Sequence, residues 1–256
     1  MKTAVISGGN GGLGRAMADQ LEAAGWHCVL MDINIAGLQA SDSRTPVAVD
    51  LTDGTDLADA AARIIAARPS IDMVICNAGV SQIGPFAQSD PASHRRVFEI
   101  NYFAAIEMTR AFLIPIRESR GTHLAVSSVA GFAPLHNRTA YAASKHAMQG
   151  FFASLRSEEA PFGVRCLIAA PSFVATNTGN AQQTEDGIVR PGSAADGIDH
   201  LSPEAAATII LRGVQKGRDF IPVGRVARIA SLLIRASPGL YQFAMRRKIH
   251  GGGAER

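Results

Sequence analysis

Short, nearly unbroken apolar runs alternate along the chain with longer stretches in which apolar residues recur every three or four positions. Residues 3–7, 28–31, 73–76, 123–128 and 165–169 are of the first kind, and such runs suit strands buried on both faces. Residues 15–24, 55–67, 92–118 and 141–159 are of the second kind and predict helices. Strand and helix taking turns from the start is the βαβ rhythm. It predicts a single α/β domain built on a doubly wound parallel sheet with helices on both faces. Ligands of such sheets bind outside the carboxyl ends of the strands.

At 256 residues the chain is long enough to bury a sizeable core without metals or disulfides. Cys28, Cys76 and Cys166 sit inside apolar runs with no Cys-x-x-Cys spacing and are expected as reduced core residues; no metal site is expected. The chain opens Met-Lys-Thr and passes at once into a strand, so no signal or transit peptide is expected. No apolar run approaches the roughly 20 residues of a membrane span, so a cytoplasmic protein is the expectation. The net charge of +3 conceals a division: residues 1–204 carry 15 Lys/Arg against 20 Asp/Glu, residues 205–256 carry 10 against 2. A basic end of this kind can meet nucleic acid or lipid. Without aromatic interleaving or a recognition-helix motif, nucleic-acid binding is not expected.

Ser7-Gly-Gly-Asn-Gly-Gly-Leu-Gly14 joins the first strand to the first helix. Glycines there let the backbone approach a pyrophosphate, and the helix N-terminus offers it free N–H groups and partial positive charge. Gly8, Asn10, Gly11, Gly12, Leu13 and Gly14 are therefore candidate dinucleotide contacts. Asp32, with Ile33 beside it, follows the second strand eighteen residues after Gly14. Its carboxylate suits both hydroxyls of an adenosine ribose and would repel a 2′-phosphate, although Asp is also common as a helix N-cap. Gly11 stands where a basic side chain could meet that phosphate, and neither residue 33 nor 34 is basic. NAD is favoured over NADP.

Tyr141 and Lys145, four residues apart, share one face of the helix predicted at 141–159. A free phenol titrates near ~10, and a neighbouring cation lowers such a value by roughly 1–3 units, which makes Tyr141 a candidate general acid/base. Ser128, at the end of the strand predicted at 123–128, could hold a substrate oxygen against the phenol. A Tyr-x-x-x-Lys spacing alone more readily describes an ordinary solvated helical pair with a core-facing tyrosine.

Taken in order, these motifs resemble those of the short-chain dehydrogenase/reductase family from residue 3 to about 176. Ser7-Gly8-x-x-x-Gly12-Leu13-Gly14 resembles its glycine fingerprint, Asp50-Leu51-Thr52-Asp53 its adenine-contacting turn, and Asn77-Ala78-Gly79 its Asn-Ala-Gly motif. Asn101, Ser128, Tyr141 and Lys145 align with its catalytic tetrad. Pro171, Val174 and Thr176 belong to a segment similar to its Pro-Gly-x-Val-x-Thr, which holds the nicotinamide carboxamide. The resemblance implies a Rossmann-like fold, a homodimer or homotetramer, and an NAD-dependent oxidoreductase interconverting a secondary alcohol and a ketone. It implies that Tyr141 exchanges the proton, Lys145 lowers the phenol's pKa and bonds the nicotinamide ribose, Ser128 polarises the substrate oxygen, and Asn101 holds a relay water. A non-catalytic NAD-binding sensor or scaffold of the same fold is the alternative, against which the full tetrad argues.

Three residues depart from the family pattern: Ser7 for Thr, Cys76 for Asn, and Ser172 for Gly, the last where a side chain would narrow the pocket or reseat the nicotinamide. In place of a Val-Asp-Gly-Gly-like ending stand Phe220-Ile-Pro-Val-Gly224 and basic amphipathic stretches, resembling members that act on bulky apolar alcohols and ketones. Residues 176–201, polar and without periodicity, predict a substrate lid. Phe132, Leu135 and Phe173 are candidate pocket-lining residues, while His136 and His146 read as surface or helix-face histidines. Val226, Ile229, Ala230 and Leu233 recur at helical spacing among Arg225, Arg228 and Arg235. This predicts a helix packed by that stripe on the domain or at a dimer interface, its basic face in solvent, rather than a membrane contact. A second stretch, 241–249, carries Arg246-Arg247-Lys248.

Overall fold

The computed structural model describes residues 1–176, 187–189, 200–239 and 241–243. Its frame is a seven-stranded sheet of β1 (Thr3–Ser7), β2 (His27–Asp32), β3 (Arg44–Ala48), β4 (Met73–Cys76), β5 (Thr122–Val126), β6 (Arg165–Pro171) and β7 (Phe220–Val223). The spatial order is β7-β6-β5-β4-β1-β2-β3 with every neighbour parallel. Helices α1 (Gly12–Ala23), α2 (Gly54–Ala67), α3 (Pro91–Phe98), α4 (Ala104–Ala111), α5 (Leu113–Ser119), α6 (Thr139–Glu159), α7 (Pro203–Gln215) and α8 (Arg225–Ala236) fill the connections.

The period of two along each strand sorts the core into two layers. Ala4, Ile6, Leu30, Ile75 and Leu124 face α1 and α7, where Met17 and Ile210 are fully buried. Val5, Val29, Met31, Val74 and Ala125 face α2, α4 and α6, where Leu57, Met108 and Phe152 fill the space. The three cysteines are buried and unpaired, and burial pushes each thiol up to about 12. Between β1 and β4 the winding direction reverses, which opens a crevice above their carboxyl ends.

The five strands expected from the apolar runs are present, and the sheet has two more. The edge strand β3 is half-buried and contains Pro46, whose missing N–H an edge tolerates. Arg44 anchors it to α1 through Asp19 and Glu22. The single helix expected over 92–118 is three. Pro115 cannot donate to the carbonyl of Ala111 and its ring would clash there, so the chain breaks at Phe112 between α4 and α5. Between α3 and α4, residues Glu99–Phe103 form a π-turn that carries Asn101 into the interior. Helix α7 begins at a Ser202 N-cap followed by Pro203 and Glu204.

Helix α8 packs on the domain through Ala230 and Leu233 of the predicted stripe, but not through Ile229. Ala227, Ala230 and Ser231 are buried, with Leu233 and Ile234 partly so, against Val129, Ala133 and Tyr241. Ile229 points outward, 58% exposed. The small residues allow the closer helix approach, so they rather than the larger Ile229 take the inner face. Of the predicted lid, residues 177–186 and 190–199 lie outside the described residues, as do Arg246, Arg247 and Lys248. The described remainder is tethered: Ile188–Val189 pair with Ser81–Gln82, and His200–Leu201 with Phe173–Val174.

His123 on β5 is fully buried, and neither ring nitrogen has a partner. Burial lowers it from 6.5 to about 4, opposed by Glu159, which itself pairs bidentately with Arg117 at 2.8 and 2.7 Å. Between those two values the unfolded chain binds a proton that the folded chain refuses, so this residue's share of stability falls as pH drops through the window. The 2.5-unit difference corresponds to about 3 kcal/mol in all. His123→Leu should therefore lose less stability than wild type between pH 7 and pH 4 in urea titrations. Parallel pH profiles for the two proteins would overturn this account.

Candidate active site

The turn between β1 and α1 is built around absent side chains. A Cβ on Gly14 would lie 2.3 Å from the Gly8 carbonyl oxygen, one on Gly9 would lie 2.6 Å from Leu30 Cβ, and Gly8 adopts φ +61°. Asn77 clamps the turn from β4, its amide donating to the carbonyls of Ser7 and Gly8 at 3.0 and 3.1 Å. The Ser7 hydroxyl accepts from the N–H groups of Asn77 and Ala78 and donates to Ile75, so serine serves fully where the family pattern has threonine.

Above this turn lies a cavity of about 1120 Å³, beyond the roughly 300–1,000 Å³ of ordinary small-molecule sites and roomy enough for a dinucleotide beside a second molecule. Gly8, Asn10, Gly11, Gly12, Leu13, Asp32, Ile33, Asp50, Leu51, Asn77, Ala78 and Gly79 line one part. Ser128, Tyr141, Lys145, Pro171, Val174 and Thr176 line the other. Gly14 is buried beneath the turn and shapes it without lining the cavity. Asp53 is likewise set back as the N-cap of α2, while Asp50 holds the loop before it by accepting from Thr52. That pair of bonds from Thr52 keeps the Asp50 carboxyl below its usual range.

At the adenosine corner, Asp32 accepts from the N–H groups of Asn10 and Asn34 at 3.0 and 3.1 Å, one on each carboxylate oxygen. Each oxygen retains a lone pair for a ribose hydroxyl. Arg15 stands nearby but does not line the cavity; its guanidinium is bound to the Asn10 backbone and side chain. Pro171 to Thr176 form the opposite wall, where the Ser172 hydroxyl is buried without a protein partner. A bare glycine cradle at one end, an acidic ribose partner and an orphan hydroxyl at the other fit a nicotinamide dinucleotide.

The catalytic candidates converge because a 3₁₀ turn, Val129–Gly131, follows β5 and presses onto α6. Gly131 makes that possible, since a Cβ there would sit 2.3 Å from Gln149 Nε2. Ser128, two residues beyond the strand, caps this turn through Ala130 and shares a hydrogen bond with the Tyr141 phenol. Lys145, 3% exposed, donates to the Val126 carbonyl at 2.9 Å, with its ammonium 6.0 Å from the Tyr141 ring centre. Burial lowers it to about 8.

Two of these residues sit among contacts the sequence did not indicate. Burial raises the Tyr141 phenol, opposed by the Ser128 hydrogen bond and the charge of Arg138, while the Lys145 ammonium donates to the Val126 carbonyl. Asn101 does not line the cavity: its Oδ1 accepts from Val80 and its Nδ2 donates to Val80 and Ser144. Ser144 in turn donates to the Tyr141 carbonyl at 2.8 Å. Asn101 is thus a clamp between the strand-end loop and α6, its side-chain donors spent. Leu135 and Phe173 line the cavity, whereas Phe132 turns away to stack edge-on against Phe220.

Several residues line the cavity that the sequence had not assigned to a site: Val80, Ile83, Arg96, Glu99, Asn137, Arg138, Val226 and Tyr241. Tyr241 comes from the chain's far end and reaches the Pro134 carbonyl. Arg138 alone was legible in principle, since it lies one helical turn before Tyr141.

Fold and site together define an oxidoreductase of the open α/β, dinucleotide-binding class. The chain belongs to the short-chain dehydrogenase family, whose model, described as short chain dehydrogenase, matches residues 2–187. It is 34% identical over 256 residues to the Dehydrogenase/reductase SDR family member 7B of Bos taurus, covering 93% of this chain and 78% of that protein. In fold it is similar to a short chain dehydrogenase from Burkholderia cenocepacia solved with NADP, with a TM-score of 0.83, 23% identity, and 95% and 96% of the two chains covered. A short chain dehydrogenase/reductase from Burkholderia phymatum, solved with NAD, matches at a TM-score of 0.72, 23% identity and coverage of 86% and 88%. The fold thus accommodates either nicotinamide cofactor, and the family acts on small molecules.

Arg138→Gln should move the acidic limb of alcohol oxidation to higher pH, because removing the cation raises the phenol that must deprotonate. Arg138→Lys should restore the limb. A limb unmoved by either change would remove Arg138 from the electrostatics of the site.

Proposed function

We propose that this protein is an NAD-dependent alcohol dehydrogenase or ketone reductase. The observation that carries the reading is the hydrogen-bonded Ser128–Tyr141 pair beside the buried Lys145, in the same cavity as the glycine turn and Asp32. Bound in that cavity, the nicotinamide supplies or accepts the hydride. Tyr141 gives its proton to the carbonyl oxygen in reduction and takes it back in oxidation. Ser128 donates to that oxygen and fixes it against the phenol. Lys145, beside Gly79, is placed to bond the ribose hydroxyls, and Asp32 to bond those of the adenosine half. Leu135, Phe173, Val226 and Tyr241 offer an apolar surface to the rest of the substrate, which supports a bulky apolar alcohol or ketone.

Preference for NAD rests on Asp32 with both oxygens turned to this corner, and on Arg15 being occupied by Asn10. A 2′-phosphate would meet the carboxylate first.

Tyr141→Phe should lower turnover by at least ~100-fold, the usual scale of a general acid/base, while NADH binding followed by fluorescence stays near wild type. Retention of most activity would sink the assignment. A wild type that binds NADH yet turns over no member of a broad alcohol and ketone panel would point to the sensor instead. Asp32→Ser should cost roughly tenfold or more in kcat/KM with NADH, as charged hydrogen bonds are lost, and less with NADPH. A wild type already faster with NADPH would refute the NAD preference.

A further inference from the structure

The turn that carries Ser128 is held by more of α6 than Tyr141 and Lys145. Tyr141, Lys145 and Gln149 stand four residues apart on successive turns, and so share one face of the helix. Each grips a different part of the chain leaving β5. The Lys145 ammonium donates to the Val126 carbonyl at 2.9 Å, and the Tyr141 phenol shares its hydrogen bond with Ser128. The Gln149 amide donates through Nε2 to the Ser127 hydroxyl at 3.0 Å and to the Ser128 carbonyl at 3.3 Å. The Ser127 hydroxyl donates in turn to the Lys145 carbonyl at 3.3 Å. Gly131 admits this arrangement, since a Cβ there would lie 2.3 Å from Gln149 Nε2 and 2.5 Å from Ser127 Oγ.

Neither partner of the amide depends on it for a hydrogen bond. The Ser127 hydroxyl keeps Lys145, and the Ser128 carbonyl also accepts from the Gly131 N–H at 2.9 Å. Loss of the amide would therefore orphan no buried group among them. What it adds is orientation. Its two acceptors bracket the Ser128 Cα, so the amide fixes the backbone on both sides and with it the direction in which the Ser128 side chain leaves.

We propose that Gln149 is a positioning residue, which sets the Ser128 hydroxyl against the Tyr141 phenol by holding the Ser127 hydroxyl and the Ser128 carbonyl. For its kinetic consequence the proposal rests on the alcohol–ketone reading of the site; for its structural one it rests on the hydrogen bonds alone.

The test is Gln149→Leu, which keeps the bulk and removes the donor. Gln149 borders a separate cavity of about 290 Å³ beside Phe132 and Phe220, which gives a leucine room. Crystal structures should show the Ser128 hydroxyl drawn to the phenol in the wild type and turned from it in the variant. The kcat for ketone reduction should fall roughly 3- to 10-fold, the scale of one net hydrogen bond, with KM for NADH unchanged. The acidic limb of oxidation should move to higher pH, because the Ser128 bond is one of the influences that lower the phenol. In a Ser128→Ala background the same substitution should cost nothing further, since no hydroxyl is left to place. Gln149→Glu, of the same shape, puts an acceptor where the donor was and should displace Ser128 likewise, so the test does not hang on the folding of one variant. The proposal falls if Ser128 keeps its place in both variants, or if Gln149→Leu lowers kcat as much without the Ser128 hydroxyl as with it. A wild type that reduces no ketone overturns the proposed reaction instead, and the structures still decide whether Gln149 positions Ser128.

Discussion

The site depends on how closely backbone can approach backbone above the strand ends of β1, β2 and β4. The turn from Gly8 to Gly14 closes on itself and on Leu30 and Ala78 at separations that leave no room for a methyl group. That closeness places the N-terminus of α1 at the cavity floor, where its unpaired N–H groups and partial charge are of use to a phosphate. It also fixes the distance from the turn to Asp32, which accepts the Asn10 N–H and so joins the end of β2 to the end of β1. The void is a consequence of main-chain packing, with side chains entering mainly as locks.

Those locks form a connected path. Ser7 and Asn77 tie β1 to the loop after β4; Val80 in that loop grips Asn101; Asn101 grips Ser144, and Ser144 the carbonyl of Tyr141. Ser7, Asn101, Ser144 and Tyr141 are buried, where an unmet donor or acceptor would cost roughly 1–3 kcal/mol, and Asn77 and Val80 are partly so. The dinucleotide cradle and the phenol are thereby held in one register although they come from opposite halves of the chain. The π-turn belongs to this path: it swings Asn101 off the helix face and into the interior, where the amide meets two elements at once.

What could be read beforehand was whatever a local rule governs. Unbroken apolar runs gave the central strands, and the Gly8–Gly14 spacing, Asp32 and the Tyr141–Lys145 pair placed the site at their ends. The misses have physical causes. β3 is half-buried, begins with Arg44 and holds a proline, so it lacks an apolar run, and the break at Phe112 follows from Pro115, a local signal outweighed by strong helical periodicity around it. Asn101's clamp role depends on Val80 and Ser144, which come from different elements. Ile229 falls on the stripe that helical spacing predicts inward, yet α8 turns Ala227 and Ser231 inward beside Ala230 and leaves Ile229 exposed. Tyr241 reaches the cavity across more than a hundred positions from Pro134, beyond any local rule.

The electrostatics of Tyr141 bear on the direction of the proposed chemistry. In a dry pocket every charge is costly, and both the phenol and the Lys145 ammonium are pushed towards their neutral forms. A phenol that holds its proton is the form on which the proposed reduction would draw. Oxidation needs the phenolate, and the groups that favour it are a hydrogen bond from Ser128 and the charge of Arg138. These two are unequal in kind. The Ser128 contact is a hydrogen bond and acts at short range, whereas Arg138 acts through space. Arg138 is half-buried and lines the cavity. A substrate that displaces water there would strengthen the arginine's influence on the phenol as the local dielectric falls, coupling closure of the cavity to the readiness of its acid/base.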